Sequence, residues 1–207
     1  IIPERGSWIE INVGKRDNLT VRIDQSGKFP CATLVRALDE KYSSDEAILK
    51  EFYATKEVKK TSRRFRKDVT GKVPILDVVD EETGEILAEV GEPITEDRAD
   101  LLAQAAIKSV QIIQDLDDPL ILHSVRDDPT STHEEAVLKI YSRLRPGNPP
   151  QLEKAKELFR EKFFDPNRYR LGRVGRFRLN RKFALDIPET EQTLRPDDII
   201  YSVKYIL

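Results

Sequence analysis

Two runs of strict apolar–polar alternation stand near the start of the chain. Ile9, Ile11 and Val13 alternate with Glu10 and Asn12, and Leu19, Val21 and Ile23 alternate with Thr20 and Arg22. Between them lies the polar stretch Gly14-Lys15-Arg16-Asp17-Asn18. A period of two on both sides of a loop containing Gly and Asn predicts a β-hairpin. Pairing Val13 with Leu19 sets Asn12 opposite Thr20, Glu10 opposite Arg22 and Trp8 opposite Asp24. The apolar face of both strands is then expected to cover a core. The other face carries a cross-strand ion pair and, at its open end, Trp8 beside Asp24. Parity puts this single Trp with the polar residues, and two readings stay open. Either it packs beneath a loop or a neighbouring domain, or it is a stacking platform for a base or another flat ligand, with Asp24 as hydrogen-bond acceptor.

After the hairpin, Gln25 to Phe29 reads as a loop and Pro30 as the opening of a helix with the stripe Leu34, Val35 and Leu38. Ser43 and Glu46 have capping-box spacing for a second helix that turns Ile48, Leu49 and Phe52 inward. Both helices are expected on the apolar face of the hairpin. Residues 56–67 have little apolar periodicity and read as a solvated, mobile linker. Val73 to Val79 suggests a strand, Glu81-Glu82-Thr83-Gly84 a tight turn and Ile86 to Val90 a return strand. Thr95 is the expected cap of a helix running to about Ile107, and Val110–Ile113 and Leu120–Leu122 read as short strands. Residues 68–125 are thus expected to make a small acidic, β-rich unit. Thr132 and Glu135 cap a further helix lined by Ala136, Val137, Ile140, Tyr141 and Leu144. Arg145 to Pro150 redirects the chain into a helix marked by Leu152, Ala155, Leu158, Phe159 and Phe163, the pair forming a helical hairpin. A last helix starts near Pro196, with Asp197 and Asp198 at its N-terminal end.

Composition narrows the classes. Of 207 residues 39% are hydrophobic and 35% charged, which describes a folded but polar chain. No apolar run approaches the ~20 residues of a membrane span, and no signal-peptide pattern opens the sequence. One cysteine and two histidines exclude a disulfide framework and argue against structural zinc, pointing to a reducing compartment. With no methionine and a start at Ile1-Ile2-Pro3, the chain is expected to be a piece of a longer protein.

The net charge of −2 conceals a strong partition. Lys56 to Lys67 holds seven basic residues against Glu57, whereas Asp77 to Asp100 holds ten acids against Arg98. Arg168 to Lys182 holds seven more basic residues and no acid. In that last strip Gly172 and Gly175 allow close backbone approach, Tyr169 and Phe177 are expected to anchor, and the arginines to point outward. Such a strip fits phosphate contact, and it equally fits a surface paired with the protein's own carboxylates. Asp115, Asp117 and Asp118 read as an acidic loop, because nothing nearby completes a metal site. No glycine-rich phosphate loop and no nucleophile–base pair is present. The residues therefore indicate a binding or scaffold module with nucleic acid as favoured partner.

Several stretches, in order along nearly the whole chain, resemble the lobe domain of the β subunit of bacterial DNA-directed RNA polymerase. They are Ile2 to Trp8, Asp17-Asn18-Leu19 with Val21 to Asp24, Arg36-Ala37-Leu38, Leu144 to Gly147 with Pro149-Pro150, Phe164 to Tyr169, Val174-Gly175-Arg176 with Asn180, and Asp197 to Ile200. The resemblance implies an α+β fold: a mixed helical/short-sheet lobe, discontinuous over 1–67 and 126–207, with the β-rich subdomain of 68–125 inserted. It implies one wall of the main cleft, facing downstream duplex DNA and the non-template strand of the bubble. Trp8 and Asp24 match the family's pocket for a non-template base, with Arg22 and Lys28 beside it. Arg145 and Arg176 match positions along the same strand's path, and Arg173 and Arg178 flank the latter. Where the family carries a run of arginines after that Asp, this chain has Gln25-Ser26-Gly27-Lys28, leaving Lys28 as the remnant. The implied partners are DNA, the rest of the β subunit, and the β′, α and sigma subunits, in the cytoplasm at the nucleoid. No cofactor is implied for this piece, since the catalytic magnesium belongs to β′ and the nucleotidyltransferase activity to the parent enzyme. Two rivals are a free-standing RNA- or ribosome-binding protein using the 168–182 strip, and a metal-dependent enzyme using the acidic segment.

Overall fold

In the computed structural model, which describes residues 1–207, nine α-helices accompany three small antiparallel sheets, an α+β architecture. The hairpin pairs β1 (Ile9–Val13) with β2 (Leu19–Ile23) in the expected register, Glu10 opposite Arg22 and Val13 opposite Leu19. A third strand, β3 (Phe29–Pro30), takes the other edge of β2 where a loop was expected. That addition makes β2 central, so Leu19, Val21 and Ile23 are all buried. Strand β1 is an edge whose apolar side leaves the core after Ile9, with Ile11 half-buried and Val13 exposed.

Helix α1 (Cys31–Leu38) is buried on every side, well beyond the expected three-residue stripe. It packs against β2 and four helices: α2 (Asp45–Phe52), α5 (Leu120–Asp127), α6 (His133–Leu144) and α9 (Pro196–Ile206). Such burial is possible only because Arg36 is satisfied: its Nε lies 3.1 Å from Asp128, Nη1 donates to the Ser43 carbonyl, and Nη2 pairs with Asp45. The N-cap of α2 is Ser44, which accepts from the Ala47 N–H, one residue after the Ser43 that sequence spacing favoured. Ser43 instead closes a 3-10 turn and accepts from the His133 N–H.

Two further expectations on secondary structure fail for tertiary reasons. The basic run 56–67 is no mobile linker: β4 (Thr55–Lys59) pairs with β7 (Ser109–Ile113), and α3 (Phe65–Val69) buries Phe65 and Val69. Leu120 to Leu122 begins helix α5, not a strand. Pro119 is its N-cap residue, Asp118 just before it accepts from the Leu120 N–H, and Ile121, Leu122 and Val125 share its buried face.

Two hydrophobic clusters result. The larger gathers the hairpin, α1, α2, α5, α6, α7 (Leu152–Phe164) and α9. The smaller runs from Val58 to Ile112 and holds β4, α3, β5 (Val78–Val79), β6 (Ile86–Ala88), α4 (Glu96–Gln104) and β7. Thr95 caps α4 by accepting from the Arg98 N–H, as its position suggested. No helix is long and apolar enough to cross a membrane.

The basic strip of 168–182, to which the sequence pattern assigned no element, is largely helix α8 (Gly172–Phe183). Its helical period decides which arginines reach the surface.

Candidate nucleic-acid interface

Three segments distant in sequence build the open end of the hairpin. The Asp24 N–H donates to the Trp8 carbonyl at 2.9 Å, and the Trp8 N–H donates to Asp24 Oδ1 at 2.8 Å. The ladder thereby extends one pair beyond Ile9 and Ile23, with a carboxylate standing in for the last backbone acceptor. Asp24 has φ of 51°, a left-handed conformation that Asp tolerates better than most residues, and the chain turns away after it. Trp8 keeps 49% of its surface exposed. It is not packed beneath a loop of this chain.

Tyr169 lies under the chain two residues before that Trp. Gly6 has φ of 126°, and a Cβ at that position would lie 2.7 Å from Tyr169 Cδ2, so only glycine lets the backbone at position 6 lie on the ring. Tyr169 is fully buried against Phe163, at 6.4 Å between ring centroids. The backbones of Arg5 and Arg170 exchange two hydrogen bonds, of 3.1 and 2.8 Å. Burial, with Asp198 and Asp24 nearby, pushes the phenol up. Its hydroxyl is buried with no hydrogen-bond partner.

The charge around Trp8 is set by Asp24 and cations from other elements. Lys162 Nζ, on α7, lies 3.4 Å from Asp24 Oδ2. Partial burial pulls the Asp24 carboxyl upward. The Trp8 N–H, the Ser7 hydroxyl and the Lys162 ammonium outweigh it and hold the group below the usual carboxylate range. Arg22 Nε donates to the Ser26 carbonyl at 3.2 Å, steadying the loop that carries exposed Lys28. Arg143, near the end of α6, lies over Gly27, whose added Cβ would meet Nη1 at 3.2 Å. Arg145 follows at the C-cap of α6 and is exposed.

On α8, Arg173 and Arg178 are exposed, and Arg173 also reaches Glu189 at 3.2 Å. Arg176 is not. Its side chain and that of Asp198 are both 0% exposed, bound by paired contacts of 2.8 and 2.9 Å. Arg176 also donates to the carbonyls of Glu191 and Thr193. Three to four residues per turn bring Gly172, Arg176 and Leu179 to the inner face and send Arg173, Phe177 and Arg178 outward. The expectation that Arg176 touches a nucleic acid is corrected: its guanidinium is fully engaged in joining α8 to α9. Phe177 is corrected too, being 48% exposed, whereas Tyr169 does anchor.

Sequence inspection missed Lys162 and Arg143. Lys162 precedes the buried Phe163 in an amphipathic helix with six other charged residues, and nothing in its local pattern singles it out or points to Asp24. The carboxylates Asp115 and Asp117 are exposed, and Asp118 accepts from the Leu120 N–H at the start of α5.

Residues 107–207 match the family model described as RNA polymerase Rpb2, domain 2. Over its whole length the chain is 52% identical to the DNA-directed RNA polymerase subunit beta of Rhodopirellula baltica. It is 36% identical to that of Protochlamydia amoebophila and 32% to that of Leptospira biflexa, again with all of this chain covered. It spans only 17%, 17% and 18% of those proteins' lengths.

Proposed function

The chain belongs to the family of bacterial DNA-directed RNA polymerase β subunits, of which it is a fragment, and we propose that it forms the lobe that holds DNA beside the enzyme's cleft. In this reading a base of the non-template strand stacks on Trp8 while Asp24 accepts hydrogen bonds from its N–H edge. The observation that carries it is Trp8 itself: half exposed, yet fixed by reciprocal hydrogen bonds to Asp24 and by Gly6 on Tyr169. An aromatic surface so presented contributes about 1–3 kcal/mol per stacked base. Together with the Trp8 N–H and the Ser7 hydroxyl, Lys162 favours the ionised Asp24, and it adds a cation beside the pocket, where Lys28 alone replaces the family's arginine run. Arg22, Arg143 and Arg145 supply further positive charge, and Arg173 and Arg178 extend the surface along α8 toward downstream duplex.

Catalysis belongs to the assembled enzyme with its β′, α and sigma subunits, at the nucleoid. This chain contributes position and grip. The second hydrophobic cluster supports an inserted subdomain resting on the β4–β7 pair, drawn at 55–113 where sequence texture suggested 68–125.

The test is Trp8 fluorescence during titration with single-stranded DNA. Trp8 is the only Trp, so the signal has one source. Quenching that weakens with salt and disappears in Asp24→Ala is expected. Unchanged emission while a second probe reports binding overturns the pocket.

A further inference from the structure

We infer that the inserted subdomain carries a second, separate phosphate-binding surface, the strand–turn–helix ridge of residues 55–69, and that its ligand is the backbone of duplex DNA. Lys56, Lys59, Arg63, Arg64, Arg66 and Lys67 are all exposed on it. The scaffold beneath them is fixed. Val58, Phe65 and Val69 sit in the smaller core, and Ser62 N–H to Lys59 and Phe65 N–H to Ser62 bonds of 3.0 and 3.1 Å close the turn. Lys60, the seventh cation of the run, is tied down by donating to the Ala105 carbonyl. Ordered cations lose less freedom on binding than those of a mobile linker.

Few of these charges are neutralised from within. Arg64 lies 3.9 Å from Asp68 and Arg66 lies 3.0 Å from Asp100. Glu57, the one acid inside the run, is engaged by the Ser109 hydroxyl at 2.7 Å. Lys56, Lys59, Arg63 and Lys67 are left free of ion pairs. Of the acids of Asp77 to Asp100, Glu96 and Asp100 on α4 line a shallow cleft with Arg66 and Lys67 at one edge of the ridge, and only Asp100 forms an ion pair there. A ridge with seven cations against Glu57 and Asp68 is strongly net positive, and the release of phosphate counterions is what drives binding of such a surface to nucleic acid. The ligand class follows from what the ridge lacks. Its only aromatic, Phe65, is buried, so an unpaired base finds nothing to stack on, and contact is confined to phosphates.

The test is fluorescence anisotropy of a short labelled duplex titrated with the 207-residue chain across salt. Four free cations on B-DNA contribute about −3.6 to the slope of log K against log salt, or about 10²-fold in affinity between ~50 and ~200 mM. The variant K56A/K59A/R63A/K67A is expected to lose that increment with unchanged circular dichroism, and the all-Arg counterpart K56R/K59R/K67R to retain it. Trp8 quenching by single strands is expected to survive in the alanine variant, which separates this surface from the proposed pocket. A slope unchanged by the alanine variant overturns the inference. So does displacement of the duplex by a poly-glutamate peptide at equal charge concentration, which would mark the ridge as a site for an acidic protein.

Discussion

Replacing Arg176 by Ala distinguishes a structural arginine from a DNA contact. The side chain is wholly buried, makes paired contacts to Asp198 at 2.8 and 2.9 Å, and donates to the carbonyls of Glu191 and Thr193 at 2.9 and 2.6 Å. Asp198 Oδ2 also accepts from the Arg195 N–H at 2.8 Å. Truncation therefore leaves a buried carboxylate without its counter-charge and two carbonyls without donors, a loss of about 3–5 kcal/mol. At roughly 2–4 °C per kcal/mol for a domain of this size, the melting temperature falls by about 6–20 °C. Urea denaturation followed by circular dichroism measures the free energy directly. Because an apolar pair of similar volume removes the stranded charge along with its partner, Arg176→Met with Asp198→Leu is expected to recover much of the loss. A variant Arg176→Ala of near-native stability whose DNA affinity has dropped would refute this reasoning and return Arg176 to the surface.

Three further outcomes are expected. Gly6→Ala forces a Cβ toward Tyr169 in a φ region that L-residues avoid, so it destabilises by about 1–3 kcal/mol in urea melts and shifts Trp8 emission. Because the folded Asp24 carboxyl lies below its ordinary value, its contribution is present above the unfolded pKa of about 3.9 and is lost as pH falls through the lower folded value. Trp8 emission should thus stay flat from neutral pH down to about 5 and change only below about 4; a midpoint above that contradicts the assignment. Burial pushes the Cys31 thiol up to about 12, so iodoacetamide at mildly alkaline pH should modify it only after unfolding, as mass spectrometry would show.

Local pattern announced the elements whose partners are close in sequence. Alternation gave the two faces of the hairpin, and the observed register is the one that pairing Val13 with Leu19 implies, down to Trp8 beside Asp24; the caps at Thr95 and Thr132 stand where their spacing put them. Failures arose where a distant partner decides. Lys56 to Lys59 lacks apolar periodicity, yet it is a strand because β7 lies some 50 residues further on to receive it. Arg176 belongs to a strip of arginines that look alike in sequence, and only Asp198 across the α8–α9 interface withdraws it from solvent. Arg36 entered an otherwise apolar helix, and the carboxylates that allow its burial come from positions 45 and 128. Lys162 could not be linked to Asp24 by any short-range rule. The candidate pocket was therefore legible in its two strand residues and illegible in its supports.

Whether Trp8 and Asp24 receive a non-template base is decided by photo-crosslinking in the assembled polymerase, with 4-thiothymidine placed along the non-template strand of a preformed bubble. A crosslink mapping to the peptides that carry Trp8 and Asp24 is expected, diminished by Trp8→Ala, with positions to either side reaching Lys28 or Arg145. Non-template crosslinks that fall elsewhere in the enzyme and ignore Trp8→Ala would contradict the proposed pocket.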